Sequence, residues 1–343
     1  MHASSPAPLL SPDHGIDAAR GAYPDTVTAV FGSLAIAAAT DSPASEAYMQ
    51  LAARSADALN EVAEWANTGL SADPTACAWL SYLRWARAAG ARPPASSPVP
   101  PAREFDRDFP VLSRACGCSG DSFAALATGE FGEVARPIDP TAESGEVLAR
   151  SIPYGLVPNL GWKALVPIIV DAAAITHGHA EAQTAAVGAA LAIHASVRAQ
   201  ETDAGFGEVL TAVSEVCEGM TRPAPKTRAL LHLVTQTTGR ADLGSADGAL
   251  SRALGDGTAA SSGLALGLFA AGTAQAADGA RSETVTQALE VVSAHPAASP
   301  GARSVAAAVC AARFGTQVVP TVTDPVGAEL AELARRWSDR WRP

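Results

Sequence analysis

The chain has 343 residues, 48% of them hydrophobic and 5% aromatic, with a formal net charge of −11; this length suits one large domain or two medium ones. The acid excess, with no Lys/Arg block beyond Arg335, Arg336, Arg340 and Arg342, excludes the counterion-releasing basic surface that nucleic-acid binding needs. Five scattered cysteines (Cys77, Cys116, Cys118, Cys217 and Cys310) do not read as a disulfide framework and predict reduced thiols in a cytoplasmic protein.

Residues 1–15 carry Pro and Ser but neither the basic nor the apolar region of a signal peptide, and residues 1–20 are expected to form a loose tail ahead of a domain over 21–343. Apolar spacing then predicts helices over 25–40, 45–67 and 74–90, and the Pro- and Ser-rich stretch 91–101 predicts a loop. A short helix over 121–129 follows, capped by Asp or Ser and ended by Gly129. Further helices are expected over 163–174, 180–200, 206–219, 226–237, 262–277, 281–294, 304–314 and 324–341. The uncharged run 257–277 contains Ser261, Ser262, Thr273, Gln275 and several glycines, so it predicts a buried helix and no membrane span. No alternating strand pattern is present. The reading is all-α: a single compact many-helix domain, its abundant Ala favouring close packing. The Ala, Arg and Pro bias fits a high-GC bacterial genome.

Several segments share an order with a known family. Tyr23-Pro-Asp-Thr26 precedes a helix; Trp65 and Tyr82-Leu-Arg-Trp85 fit the next two. Arg150-Ser-Ile-Pro-Tyr-Gly155 and Thr176-His177 form a middle pair of motifs, and 257–271 a core helix. Arg313-Phe-Gly315 and Val319-Pro320 close the series. In this order the chain resembles the ADP-ribosylglycohydrolases, all-helical enzymes that normally hold two magnesium ions. The resemblance implies that Asp25 and Thr26 sit at the first metal motif, that Ser144, Gly145 and Arg150 belong to a ligand-cradling loop, and that Thr176 and His177 open the helix beside it.

The chain also departs from that pattern. Tyr23 and Pro24 replace two residues of the family's first metal motif, and the helix that normally precedes this motif is missing or replaced. No Asp occurs between Asp278 and Asp324, where the second motif belongs; the stretch 297–304 instead carries Arg303. Magnesium needs several oxygen ligands in near-octahedral geometry, so no metal ligands and no cofactor are expected. The family's Gly-Asn-Gly reads Ser144-Gly-Glu146, adding bulk and charge to the loop.

Three residues are candidate catalytic groups, Asp25, Glu146 and His177, and each has a plainer reading. Asp25 is a residual ligand, an acid/base or a helix N-cap. His177 and His179 form a metal pair, or Thr176 and His177 fix a helix start. Arg150 holds a phosphate or carboxylate, or ties down its loop. Glu143 and Glu146 share that loop, and Cys116 and Cys118 are nucleophile candidates without a readable base. The expectation is a degenerate ADP-ribosylglycohydrolase-like protein without magnesium-dependent hydrolysis, whose cleft takes a small, nucleotide-like molecule or a protein partner. The alternatives are a metal-independent enzyme of bacterial specialised metabolism and, more remotely, an active ADP-ribosyl hydrolase. An apolar face uncovered by the missing first helix predicts a homo-oligomer.

Overall fold

Three helices open on the same local device, a capping side chain followed by proline. Asp73 accepts from Thr75 N at 2.8 Å ahead of Pro74, Ser299 accepts from Ala302 N at 3.3 Å ahead of Pro300, and Asp324 accepts from Gly327 N at 2.8 Å ahead of Pro325. The cap satisfies an otherwise orphaned N–H, and proline sits where no N–H is needed. The computed structural model describes residues 9–40, 42–117, 120–238, 248–277 and 281–342.

The chain runs through α1 (Tyr23–Ala38), α2 (Pro43–Asn67), α3 (Pro74–Ala88), α4 (Glu104–Asp108), α5 (Asp121–Ala127), α6 (Glu146–Ser151), α7 (Trp162–Ala174) and α8 (Ala180–Thr202). It continues through α9 (Phe206–Glu218), α10 (Pro225–Thr237), α11 (Gly248–Leu254), α12 (Ala260–Ala276), α13 (Thr284–Ser293), α14 (Pro300–Phe314) and α15 (Pro325–Arg340). Short 3-10 turns occupy Ile152–Leu156, Arg281–Glu283 and Gly315–Val318. No strand occurs among the described residues, only two isolated bridges, so the fold is all-helical. Each helix expected from spacing is present within a few residues; α4, α6 and α11 are additions.

The core is built on α8, α12 and α14, whose small side chains let backbones approach. α12 is buried on nearly every side, as an all-round apolar helix must be. At Gly267 a Cβ would come within 2.7 Å of Val305 Cβ and 2.8 Å of the Ala302 carbonyl oxygen, so only glycine permits this contact between α12 and α14. A second cluster lies under α3, where Tyr82, Leu83 and Trp85 pack with Leu51, Leu126 and Ile175.

Two expectations meet a different arrangement. Residues 9–20 are packed: Leu9, Leu10 and Ile16 are buried, and the Ser11 and Ile16 carbonyls accept from Trp162 N at 3.1 Å and Asn159 N at 2.8 Å. That segment supplies acceptors to free N–H groups at the start of α7. Residues 1–8 of the expected tail lie outside the described residues. The apolar face of α1 (Val27, Val30, Phe31 and Leu34) is covered within the chain by α14 and α15. No helix among the described residues is long and apolar enough to cross a membrane.

Candidate functional site

The middle loop is held from two sides. Gly145 N donates to Thr258 O at 2.9 Å and Ala260 N to Glu143 O at 2.7 Å, pinning the loop to the start of α12. Gly301, in the first turn of α14, lies so close that a Cβ there would come within 2.7 Å of the Gly145 carbonyl oxygen. The loop thereby brings Ser144, Gly145, Glu146, Arg150, Thr176 and His177 into one cluster with Asp121, Ser122 and Tyr48.

Arg150 is 1% exposed and has no carboxylate within ion-pair distance among the described residues. Its fork donates to Ala172 O at 2.9 Å, to Ala173 O at 3.1 Å and to Thr176 Oγ1 at 2.6 Å. The Ala172 carbonyl is an orphan at the end of α7, while Ala173 O also accepts from His177 N at 2.9 Å, and the helix dipole there favours a cation. The Tyr82 ring adds a further favourable contact, 5.1 Å from the guanidinium carbon. Of the two sequence readings, the loop tie is the one this geometry carries: the guanidinium caps α7.

From Arg150 a directed chain of hydrogen bonds follows. Thr176 Oγ1 accepts from Arg150 and lies 2.8 Å from His177 Nδ1, which Arg150 itself approaches at 3.4 Å. A guanidinium only donates, which favours Nδ1 as the acceptor and Nε2, facing Ser144 and Asp121, as the site of the ring proton. Nε2–H then donates to Ser144 Oγ at 3.0 Å. His177 is fully buried, and burial, followed by the nearby Arg150 charge, pushes it well below the ordinary imidazole value. A neutral imidazole that donates to a serine cannot also take that serine's proton, so Ser144–His177 is not an activated nucleophile pair.

Glu146, the first residue of α6, is half-buried. Its Oε2 accepts from Ser122 N at 2.7 Å, closing the start of α5, and its carboxylate leaves no room for a side chain at Gly120. Burial raises its pKa most, opposed by the Ser122 hydrogen bonds; Asp121 raises it further and Arg150 lowers it. Tyr48, buried on α2 against Gly145, is pushed up by burial and then by Glu146 and Asp121. Asp121 Oδ2 stands 3.9 Å from His177 Nε2 with its side chain 38% exposed, so the cluster meets solvent through Asp121 and Ser144. Asp121 was legible only as a helix cap. His179 faces Glu143 at 3.8 Å and its Nδ1 accepts from Glu181 N, which makes it the cap of α8.

Asp25 does not join this cluster. Its carboxylate accepts from Thr316 Oγ1 at 2.5 Å and Thr316 N at 3.1 Å, at the far end of α14. Thr26 is buried, donating to Ala22 O and accepting from Gln200. The segment 297–304 lies at the opposite end of α14, about 22 Å away at 1.5 Å per residue. There Arg303 donates to Ala37 O at 3.0 Å and Ser293 Oγ at 2.7 Å. The start of α14 therefore meets the end of α1, not its beginning, and Asp25 cannot share ligands with it. Among the described residues no group of three or more His, Cys, Asp or Glu is arranged to hold a metal ion, and the donor set does not fit a binuclear magnesium centre. Burial pushes the Cys77 thiol up to about 11 and those of Cys217 and Cys310 up to about 12; Cys116 is buried and Cys118 lies outside the described residues.

A cavity of about 700 Å³ opens on the other side of the 177–179 loop, between α7, the start of α8 and α9. Leu9, Leu10, Trp162, Val166, Val216 and Met220 wall it, and Lys163, Asp171, Glu215 and Arg222 stand among them. None of the His177 cluster lines it. No protein-family model matches the chain, and no curated protein matches it.

Proposed function

We propose that this chain is an ADP-ribosylglycohydrolase-like protein that binds a small molecule and does not hydrolyse ADP-ribosyl bonds. The observation that carries this reading is the inward use of the expected ligand cradle: Arg150, Thr176, His177 and Ser144 are bonded to one another and to the end of α7. An arginine occupied by helix carbonyls has little left for a diphosphate. The cavity beside α7 supplies the binding volume instead. Its size lies within the usual range for small-molecule sites, and its apolar walls with balanced charges suit an amphipathic ligand better than a nucleotide.

The test is calorimetric titration of the whole chain with magnesium and then ADP-ribose, beside titration with the apolar fluorophore 1-anilinonaphthalene-8-sulfonate. The expected outcome is no heat from the first pair and saturable fluorophore binding that Val166→Trp weakens at least tenfold. Magnesium-dependent ADP-ribose binding would sink the reading.

A second reading, metal-independent acid–base chemistry, is favoured by one observation: Glu146 is raised by burial beside Asp121, so one carboxyl is held towards its acid form next to an ionisable neighbour. Turnover of any candidate substrate that disappears in Glu146→Gln, with the fold intact, would favour it over the first.

A further inference from the structure

A separate cavity of about 470 Å³ lies among the start of α9, the ends of α12 and α14, and the 281–284 turn. Arg281 and Arg313 both line it, and both guanidinium carbons approach the Phe314 ring, at 5.6 and 5.8 Å from its centroid. The guanidinium of Arg281 makes no hydrogen bond or ion pair among the described residues; that of Arg313 donates to Ala204 O and to no carboxylate. Two arginines that line one cavity and pair with no carboxylate among the described residues stand out in a chain of net charge −11. Helix ends account for part of this, because the last carbonyls of α12 and α14 attract cations. They do not account for the missing carboxylate, since planar guanidinium forks pair best with carboxylate or phosphate.

We propose that this cavity binds a small organic anion whose carboxylate or phosphate lies between Arg281 and Arg313 and whose apolar body rests against Phe206. Supporting this, burial lowers the Arg313 pKa first, Arg281 pushes it the same way, and Asp203 and Glu208 act against both. An incoming anion would relieve that repulsion. Thr238 and Gln275 add polar residues to the wall of the same cavity. The cavity shares no lining residue with the one beside α7, so this inference stands or falls independently of the proposed function.

The experiment is isothermal titration of the full chain with phenyl phosphate, benzoate and inorganic phosphate, at low and at raised salt. Saturable binding of phenyl phosphate or benzoate is expected, at least tenfold tighter than inorganic phosphate and weakened by salt. Arg281→Gln and Arg313→Gln should each weaken it at least tenfold, while Val166→Trp in the other cavity and Arg136→Ala on the surface leave it unchanged. If Arg313→Gln loses its helical circular dichroism, Arg281→Gln decides alone, since among the described residues the Arg281 guanidinium makes no hydrogen bond or ion pair and meets only the Phe314 ring. No saturable heat with any of the three anions, or undiminished binding in Arg281→Gln, would overturn the site. Equal binding of inorganic phosphate would overturn the apolar body of the ligand.

Discussion

Arg150 and Thr176 are joined by a 2.6 Å hydrogen bond in the interior, and this contact decides what the two best-matched motifs of the chain do. With Thr176 held by Arg150, His177 accepts at Nδ1 and donates at Nε2, and Ser144 receives a proton donor where a nucleophile would need a base. The stability consequence is direct. Arg150→Ala leaves the Ala172 carbonyl buried without a donor and takes one of several donors from the Ala173 carbonyl, and should cost about 2 kcal/mol in urea unfolding at neutral pH. Arg150→Lys should recover less than half of that, because an ammonium lacks the fork that reaches both carbonyls. A loss below about 1 kcal/mol in Arg150→Ala would show that the guanidinium is not the cap of α7.

Asp25 has a structural job that can be measured separately. Gly315 ends α14 at φ 76°, a left-handed conformation that suits glycine, and a Cβ there would lie 2.2 Å from Asp25 Oδ2. The carboxylate thus closes the turn after α14 from the first turn of α1. Asp25→Ala should destabilise by about 1 kcal/mol and leave fluorophore binding in the cavity beside α7 unchanged. A drop in that binding without loss of stability would return Asp25 to the list of ligand-facing residues.

Most helices were legible because apolar spacing is a local signal; the Ser299-Pro300 start of α14 lies four residues ahead of the helix expected over 304–314. α4, α6 and α11 span 5, 6 and 7 residues, too short for a period to show. The packing of 9–20 was signalled only by Leu9, Leu10 and Ile16, three apolar residues in a Pro- and Ser-rich stretch. The site was harder for a physical reason. Whether Arg150 faces a ligand or the end of α7 depends on a contact 22 residues away, and Asp25 meets Thr316 across 291 residues. No spacing rule reaches that far, so both residues had two open readings. Asp121 was visible as a helix start, but its approach to His177 is a property of the tertiary fold alone.

Gly267 carries a prediction of the same tertiary kind. In sequence it is one glycine among several in an uncharged helix; in the fold it is the point where α12 touches α14. Gly267→Val would drive two methyl groups into Val305 and the Ala302 carbonyl, where a Cβ alone already lies within 3 Å. The expected cost is about 3 kcal/mol, at the upper end for overpacking. Thermal unfolding would measure it, with Gly207→Val, where a Cβ meets nothing within 4 Å, as the matched control. Equal melting temperatures for the two variants would contradict the close crossing of α12 and α14.

The pH dependence separates Glu146 from the buried histidines. Glu146 is raised in the folded chain, so the unfolded chain releases this proton first as pH rises. Its contribution therefore favours the fold at acid pH and is lost as pH climbs from the ordinary glutamate value through the folded one. His177 and His194 act in the opposite sense. Both are lowered by burial, His194 to about 4, so their contribution is present above the ordinary imidazole value and is lost as pH falls through the folded value. The wild-type profile mixes the two. The difference between wild type and Glu146→Gln isolates the carboxyl, because the amide oxygen can still accept from Ser122 N. That difference should grow with pH in favour of Glu146→Gln from the carboxylate range towards neutrality, read as midpoints of urea unfolding at a series of pH values. A constant difference across the series would mean that Glu146 keeps an ordinary carboxyl, and with it would fall the reading of this group as an acid.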